Sequence, residues 1–374
     1  MAIAYFFIAF LLSFMFCLLL LRYIKLHEHL SADFELDGVQ KFHVRAVPRI
    51  GGLAICGALV LTVPLMAALE SSRQWPAIAM LCVAALPCFL GGFAEDLLKI
   101  GLIKTRLACM ALSALLLFLG CGIGVFRLDV PLLDQALLQY SWLAAAFTVF
   151  AVVGMINAIN LIDGYNGLAV AVSLIILGSI SYVGVQVGDR MVVIVAMTMI
   201  GAGVGFLLWN WPRGLIFLGD GGAYLYGFVI AALVVALVQR HPQISAWYAA
   251  VLLIYPVMET VFTIHRRMQR RHHVGLPDAA HLHQLIYKRM MRWAVGSSHP
   301  HHRTMRNSMT SPYLWLLSSL GVIPATILWS NTHALQLALL GFAVLYIWLY
   351  RSIARFRSPR WMIYRRPAYL IEKE

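Results

Sequence analysis

Residues 191–222 read MVVIVAMTMIGAGVGFLLWNWPRGLIFLGDGG, and the fold follows from how this stretch divides. Residues 191–210 carry no charge over a length that matches a membrane helix, since a bilayer core of about 30 Å needs about 20 apolar residues. The next eleven residues hold Pro212, Arg213 and Asp220 among glycines, and another apolar run begins at Gly222. Two spans joined by a short polar connection describe a chain that crosses a membrane and returns.

The same pattern runs along the whole sequence. Apolar spans fall near residues 3–21, 50–69, 76–94, 107–124, 142–160, 167–184, 191–210, 222–238, 246–264, 312–330 and 334–350, and 61% of the 374 residues are hydrophobic. The expected fold is therefore an all-α polytopic membrane protein of about eleven transmembrane helices. Residues 1–350 form one transmembrane domain with polar loops at 22–49, 95–106, 161–166, 211–221 and 265–311, and residues 351–374 form a basic tail. The first span lacks a small-residue cleavage site and reads as a retained helix.

Charge sorts by side. Of the 29 Lys and Arg, all but Arg73, Arg127, Arg190 and Arg240 lie in alternate loops, which places those loops in the cytoplasm, the N-terminus outside and the C-terminus inside. The net charge of +13 does not indicate nucleic acid, because the basic residues flank membrane helices, where anionic headgroups account for them. The six cysteines all lie within apolar spans without metal-ligand spacing, and read as small packing residues. Nearly every unusual acid, amide and histidine is on the cytoplasmic side.

Five features there carry polar chemistry. Lys41-Phe42-His43 leads through Pro48 and Arg49 to the pair Gly51-Gly52 at the start of the second span. Glu95-Asp96 ends the third span, with Lys99 four residues beyond Glu95 on the same helical face. Two adjacent carboxylates need a cation, either Lys99, a metal ion or a substrate. Asn157, Asn160 and Asp163 recur every third residue, so a helix continuing to Asp163 is expected to line them on one face, with Asn166 in the glycine-bearing turn that follows. Asn210 precedes a short apolar stretch with Phe217 that ends in Gly219-Asp220-Gly221-Gly222, where glycines permit close backbone approach and a carboxylate suits a hard cation. Residues 265–311 carry nine Lys or Arg and eight His, including His281 and His283, against the single acid Asp278. Such donors suit a diphosphate held with Mg2+. Glu259, about 10 Å below that loop on its helix, reads as a structural support.

Together these motifs resemble the polyprenyl-phosphate N-acetylhexosamine-1-phosphate transferases, across spans one to nine and the histidine loop, most specifically in Asn157–Leu168, Ile216–Gly222 and His281–His283. The resemblance implies an enzyme of the bacterial inner membrane with its site facing the cytoplasm. It implies transfer of a sugar-1-phosphate from a UDP-sugar to a polyprenyl phosphate, releasing UMP, with Mg2+ (or Mn2+) as cofactor. Glu95, Asp96 and Asp220 would be catalytic, with Asp220 and Asp163 on the metal. Asn157, Asn160, Asn166, Asn210 and Phe217 would surround the nucleotide, with Phe217 stacked on uracil. Lys41, His43, Lys99, His281 and His283 would bind phosphates or sugar. The sequence departs from the family at Glu95 and Asn166, where aspartates are usual, at Gln284, where another histidine is common, and at Ala279, where an arginine is common.

Val47–Gly52 and His281–His283 are similar to the initiators of O-antigen and common-antigen synthesis, which implies GlcNAc or a 6-deoxy relative as the sugar. The partners expected are the two substrates and membrane lipids, with no nucleic acid and a homodimer left open. The phospho-MurNAc-pentapeptide transferases are the alternative within the family. A transporter would place ionisable groups near the midplane in repeated halves, which this sequence lacks. A non-catalytic lipid-binding scaffold is the third reading, and substitution of Asp220 separates it from an enzyme.

Overall fold

A helix underlies each of the eleven apolar stretches in the computed structural model, which describes residues 2–26, 32–33, 47–69, 74–99, 103–270, 281–291 and 300–355. The chain runs α1 (Ala2–Arg22), β1 (Ala32–Asp33), β2 (Val47–Pro48), α2 (Gly51–Leu69), α3 (Trp75–Leu98), α4 (Ile103–Cys121) and α5 (Pro131–Gln139). It continues through α6 (Ser141–Ile162), α7 (Leu168–Val187), α8 (Arg190–Asn210), α9 (Gly219–Arg240), α10 (Ala246–Leu252) and α11 (Ile254–Arg270). The last elements are α12 (Leu282–Leu285), which passes into a π-helical turn at Ile286–Met291, then α13 (Pro300–Ile327) and α14 (Thr332–Ala354). The two strands pair antiparallel with Ala32 opposite Pro48, a two-residue clip that no sequence pattern announces.

Nine of these helices, among the described residues, are long and apolar enough to cross a membrane, and ten if α10 and α11 count as one bent span. The protein is an all-α, multi-pass membrane protein. The expected straight span at 246–264 is instead broken at Leu253, where the two helices meet at 70°. Pro256 lies in the first turn of α11, where its missing N–H leaves nothing to continue the ladder from α10. The histidine loop is also shorter than the sequence suggests, because α11 runs on to Arg270 and α13 starts at Pro300.

Helix α9 is the axis of the bundle. Of its most apolar stretch 94% is buried, against 22% for α1, so α9 is wrapped by protein while α1 offers most of its surface to lipid. Helix α1 packs along α8, where Gly201 and Gly205, four apart, let the backbones meet: a Cβ on Gly205 would stand 2.5 Å from the Phe10 carbonyl oxygen. In lipid such close packing takes the place of the hydrophobic effect. The six cysteines are all free, as expected of packing residues.

Candidate active site

The polar ends of α2, α3 and α9 meet backbone to backbone. The segment after β2 docks on the approach to α9 through three main-chain bonds: Phe217 N–H to Pro48 O at 2.9 Å, Gly51 N–H to Phe217 O at 2.9 Å, and Gly52 N–H to Leu218 O at 2.8 Å. Gly52 lies directly against the backbone of Gly222, and a Cβ there would stand 2.6 Å from the Gly222 Cα. Gly219 has φ +76°, and a side chain on it would strike the Asp96 carboxylate. Gly52 thus gives the close backbone approach expected at the start of α2, and Gly219 leaves room for the Asp96 carboxylate.

That packing separates the acidic pair. Asp96 turns into the protein, its side chain 2% exposed, and accepts the N–H groups of Asp220 and Gly221, each at 3.0 Å. It thus caps the start of α9, where unpaired N–H groups and the helix dipole favour a carboxylate. Glu95 points elsewhere and accepts the Tyr224 hydroxyl at 2.7 Å, while its Oε1 is buried without a hydrogen-bond partner. Neighbours on a helix are about 100° apart, so the two acids leave α3 in different directions.

Asp220 accepts the Asn160 amide at 2.8 Å, with the Arg49 guanidinium 3.9 Å from the same oxygen. Arg49 also lies 3.8 Å from Asp96, so one cation stands between two carboxylates. Asp163, half-buried just past the end of α6, has its carboxyl pushed up to about 7 by burial first and the nearby Asp220 charge second, with Arg49 opposing. Asn157 does not join them. Its amide donates to Val153 O at 2.8 Å and to Met110 Sδ at 3.3 Å on α4. Steps of three residues drift about 60° each around a helix, so Asn157 sits about 120° from Asp163, off the expected shared face.

Two loops complete the site. Asn210 accepts the Gly167 N–H at 2.5 Å and donates to Ile216 O at 2.8 Å, so its amide ties the turn before α7 to the approach to α9. Asn166 donates to Pro212 O at 3.2 Å, and its own N–H is taken by Asn307 Oδ1 at 2.8 Å. His281 begins α12, with Nδ1 3.1 Å from the Thr263 hydroxyl and 3.9 Å from Glu259 Oε2. Glu259 is fully buried and accepts the Leu282 N–H at 3.4 Å, the supporting role its position suggested. His283 stacks on His281 at 5.1 Å and meets Tyr165 edge-on. Burial, with the adjacent His281 and Arg266, holds its imidazole well below the usual range, so it is neutral at pH 7.

These groups enclose a cavity of about 330 Å3. Of the residues expected from the sequence, Asn160, Asp163, Asn166, Asn210, Phe217, Asp220, His281 and His283 line it. Asn157, Glu95, Asp96 and Lys99 do not, and Lys41 and His43 lie outside the described residues. The sequence reading gave no role to Arg49, Tyr165 or Asn307, which line it as well, and marked Gln284 only as a departure. For Asn307 a signal existed: Asn307 and Ser311, four apart, precede an apolar span as a polar stripe. Among the described residues no three His, Cys, Asp or Glu stand close enough to enclose a metal ion. Asp163 and Asp220 nevertheless supply two oxygen ligands of the kind Mg2+ takes, since it habitually keeps waters and substrate phosphate oxygens for the rest.

Residues 78–238, from α3 through α9, match the family model described as glycosyl transferase family 4. Over that stretch the chain is similar to that family. Among similar proteins, a probable undecaprenyl-phosphate N-acetylglucosaminyl 1-phosphate transferase of Bacillus subtilis is 28% identical over 309 residues, 82% of this chain and 80% of its own. An undecaprenyl-phosphate alpha-N-acetylglucosaminyl 1-phosphate transferase of Thermotoga maritima is 28% identical over 254 residues, 68% of this chain and 72% of its own. A phospho-N-acetylmuramoyl-pentapeptide-transferase of Ruegeria pomeroyi is 30% identical over 222 residues, 52% of this chain and 61% of its own. The matched family region holds both acids of the cavity, whereas Arg49, the histidines and Asn307 are brought to it from outside.

Proposed function

We propose that this protein transfers N-acetylglucosamine-1-phosphate, or that of a 6-deoxy relative, from a UDP-sugar to undecaprenyl phosphate and releases UMP. This would be the first membrane step of O-antigen or another cell-surface polysaccharide. The observation that carries the reading is the cavity itself: two carboxylates, one guanidinium and neutral imidazole and amide donors gathered where α6 and α9 reach the polar face of the bundle. Two of the relatives above are named undecaprenyl-phosphate N-acetylglucosaminyl 1-phosphate transferases, which supports the reading.

In this reading the bundle has eleven spans, with α13 supplying one and α10–α11 together another. The N-terminus is outside, and the cavity faces the cytoplasm of a bacterial inner membrane, the side from which a water-soluble nucleotide sugar arrives. Asp220 and Asp163 would hold Mg2+, which supplies charge neutralisation for a diphosphate. Asn160 fixes the rotamer of Asp220, and Arg49 adds a charged donor for phosphate oxygens. Phe217 offers its ring to the base. An oxygen of the lipid phosphate attacks the β-phosphorus of the donor, and the bond to UMP breaks, a step that depends mainly on positioning and charge stabilisation. The base for the lipid phosphate would come from the acidic pair, of which Asp96 accepts two backbone N–H groups and Glu95 accepts the Tyr224 hydroxyl.

The test is UMP release by the purified protein with undecaprenyl phosphate, Mg2+ and a panel of UDP-N-acetylhexosamines, with and without EDTA. Metal-dependent UMP formation that vanishes in Asp220→Asn supports the reading and names the sugar. Folded protein that yields no UMP from any donor defeats it. The Ruegeria relative motivates including UDP-MurNAc-pentapeptide in the panel, where turnover would favour the peptidoglycan reaction instead.

A further inference from the structure

Helix α13 lies outside the matched family region, yet one of its faces holds the site together. Asn307, Ser311 and Trp315, four apart, point the same way, with Ser308 beside them. The backbone of Asn166 is gripped at both ends: its N–H by Asn307 Oδ1 at 2.8 Å and its carbonyl by the Ser311 hydroxyl at 2.6 Å. Trp315 Nε1 donates to Gly167 O at 3.1 Å. The Ser308 hydroxyl donates to Pro212 O, and Trp211 Nε1 returns a bond to Ser308 O at 3.1 Å.

This arrangement fixes which way the Asn307 amide faces. A backbone N–H can only donate, so the Asn307 atom opposite Asn166 N must be the oxygen. The NH2 group is then on the other side of a side chain that lines the cavity, and it meets no protein acceptor among the described residues. A donor held so firmly and left open to a cavity is poised for a ligand acceptor, because an amide that binds nothing there would forgo a hydrogen bond. Its partner, the Asn166 N–H, is uncharged, whereas the guanidinium of Arg49 in the same cavity stands between Asp96 and Asp220. Arg49, which lines the same cavity, is the charge-assisted donor that phosphate favours, which leaves the neutral amide to a neutral acceptor such as a carbonyl oxygen.

We propose that Asn307 is a donor-specificity residue, whose Nδ2 hydrogen-bonds a carbonyl oxygen of the nucleotide sugar, either that of the acetamido group or one on the uracil ring. This rests on the nucleotide-sugar reading of the same cavity. The test compares wild type with Asn307→Asp, which keeps an oxygen toward Asn166 N–H while removing the NH2, and with Asn307→Ala, which removes both. Full-length protein is assayed for UMP release across UDP-GlcNAc concentrations, with thermal unfolding of each variant alongside.

Asn307→Asp is expected to raise KM for UDP-GlcNAc several-fold to about tenfold with kcat nearly unchanged and a melting temperature close to wild type. Asn307→Ala adds a loss of melting temperature. If the inhibition constant of UMP rises in parallel with KM, the carbonyl is on uracil; if it stays constant, the carbonyl is the acetamido one. A wild-type KM in Asn307→Asp, or a KM that rises only where the melting temperature falls, overturns the assignment. Should wild type release no UMP at all, the transferase reading is what fails, and calorimetric titration of UDP-GlcNAc decides Asn307 separately: no affinity difference between wild type and Asn307→Asp, or no binding by either, overturns it.

Discussion

The carboxylate of Asp96 accepts the backbone N–H of Asp220 at 3.0 Å, and that of Gly221 at the same distance. One acid therefore sets the position of the other, and the two differ in kind. Asp96→Ala leaves two N–H groups unpaired, that of Gly221 buried and that of Asp220 partly so, and is expected to lose about 1–3 kcal/mol of stability together with activity. Asp220→Asn is expected to lose activity while unfolding near the wild-type temperature. Thermal unfolding in detergent, read beside UMP release, separates them. Equal melting temperatures for Asp96→Ala and wild type would contradict the capping role.

Asn157 faces Met110 and its own helix, away from the cavity. Asn157→Leu should leave KM for the UDP-sugar unchanged and alter stability by about 1 kcal/mol or less. A clear rise in KM would return Asn157 to the site.

The approach of Gly52 to Gly222 has no room for a methyl group. Gly52→Ala is expected to cost about 1–3 kcal/mol by overpacking and to lower activity by displacing Arg49. Gly178, inside α7 with open space where its Cβ would go, is the control. Gly178→Ala should be neutral or stabilising by up to about 1 kcal/mol, the difference in helix propensity. Equal melting temperatures for the two variants would mean that the helix ends do not meet as described.

Stability should depend on pH through His283, whose imidazole is held well below its ordinary value of 6.5 by burial, His281 and Arg266. Below about 6.5 the unfolded chain binds a proton at this position that the folded chain refuses, so stability falls as pH drops from 7 toward 5 and is level above. His283→Asn removes the group and should flatten that part of the profile. An unchanged slope in the variant would assign the dependence to other groups.

Much of this was legible in the residues. Apolar length placed a helix at each of the eleven stretches, spacing by three set Asn160 with Asp163, and the motif resemblance added Asp220; all three line one cavity. The same reasoning put Asn157 with them, because spacing of three approximates a helical face but accumulates a drift that only matters after two steps. It also joined Glu95 to Asp96, since adjacency in sequence says nothing about which neighbour will offer N–H groups.

What the sequence alone determined was the membrane class, the helix positions and, through motif resemblance, most of the cavity's acids and amides, because hydropathy, helical period and short motifs are local properties. Tertiary structure alone decided that Asp96 caps α9 while Glu95 turns to Tyr224. It also decided that Arg49 reaches both Asp96 and Asp220, and that Asn307 closes the site from α13. Those relationships join residues 47 to 171 positions apart, and their partners are chosen by how helix ends pack, which no local pattern encodes.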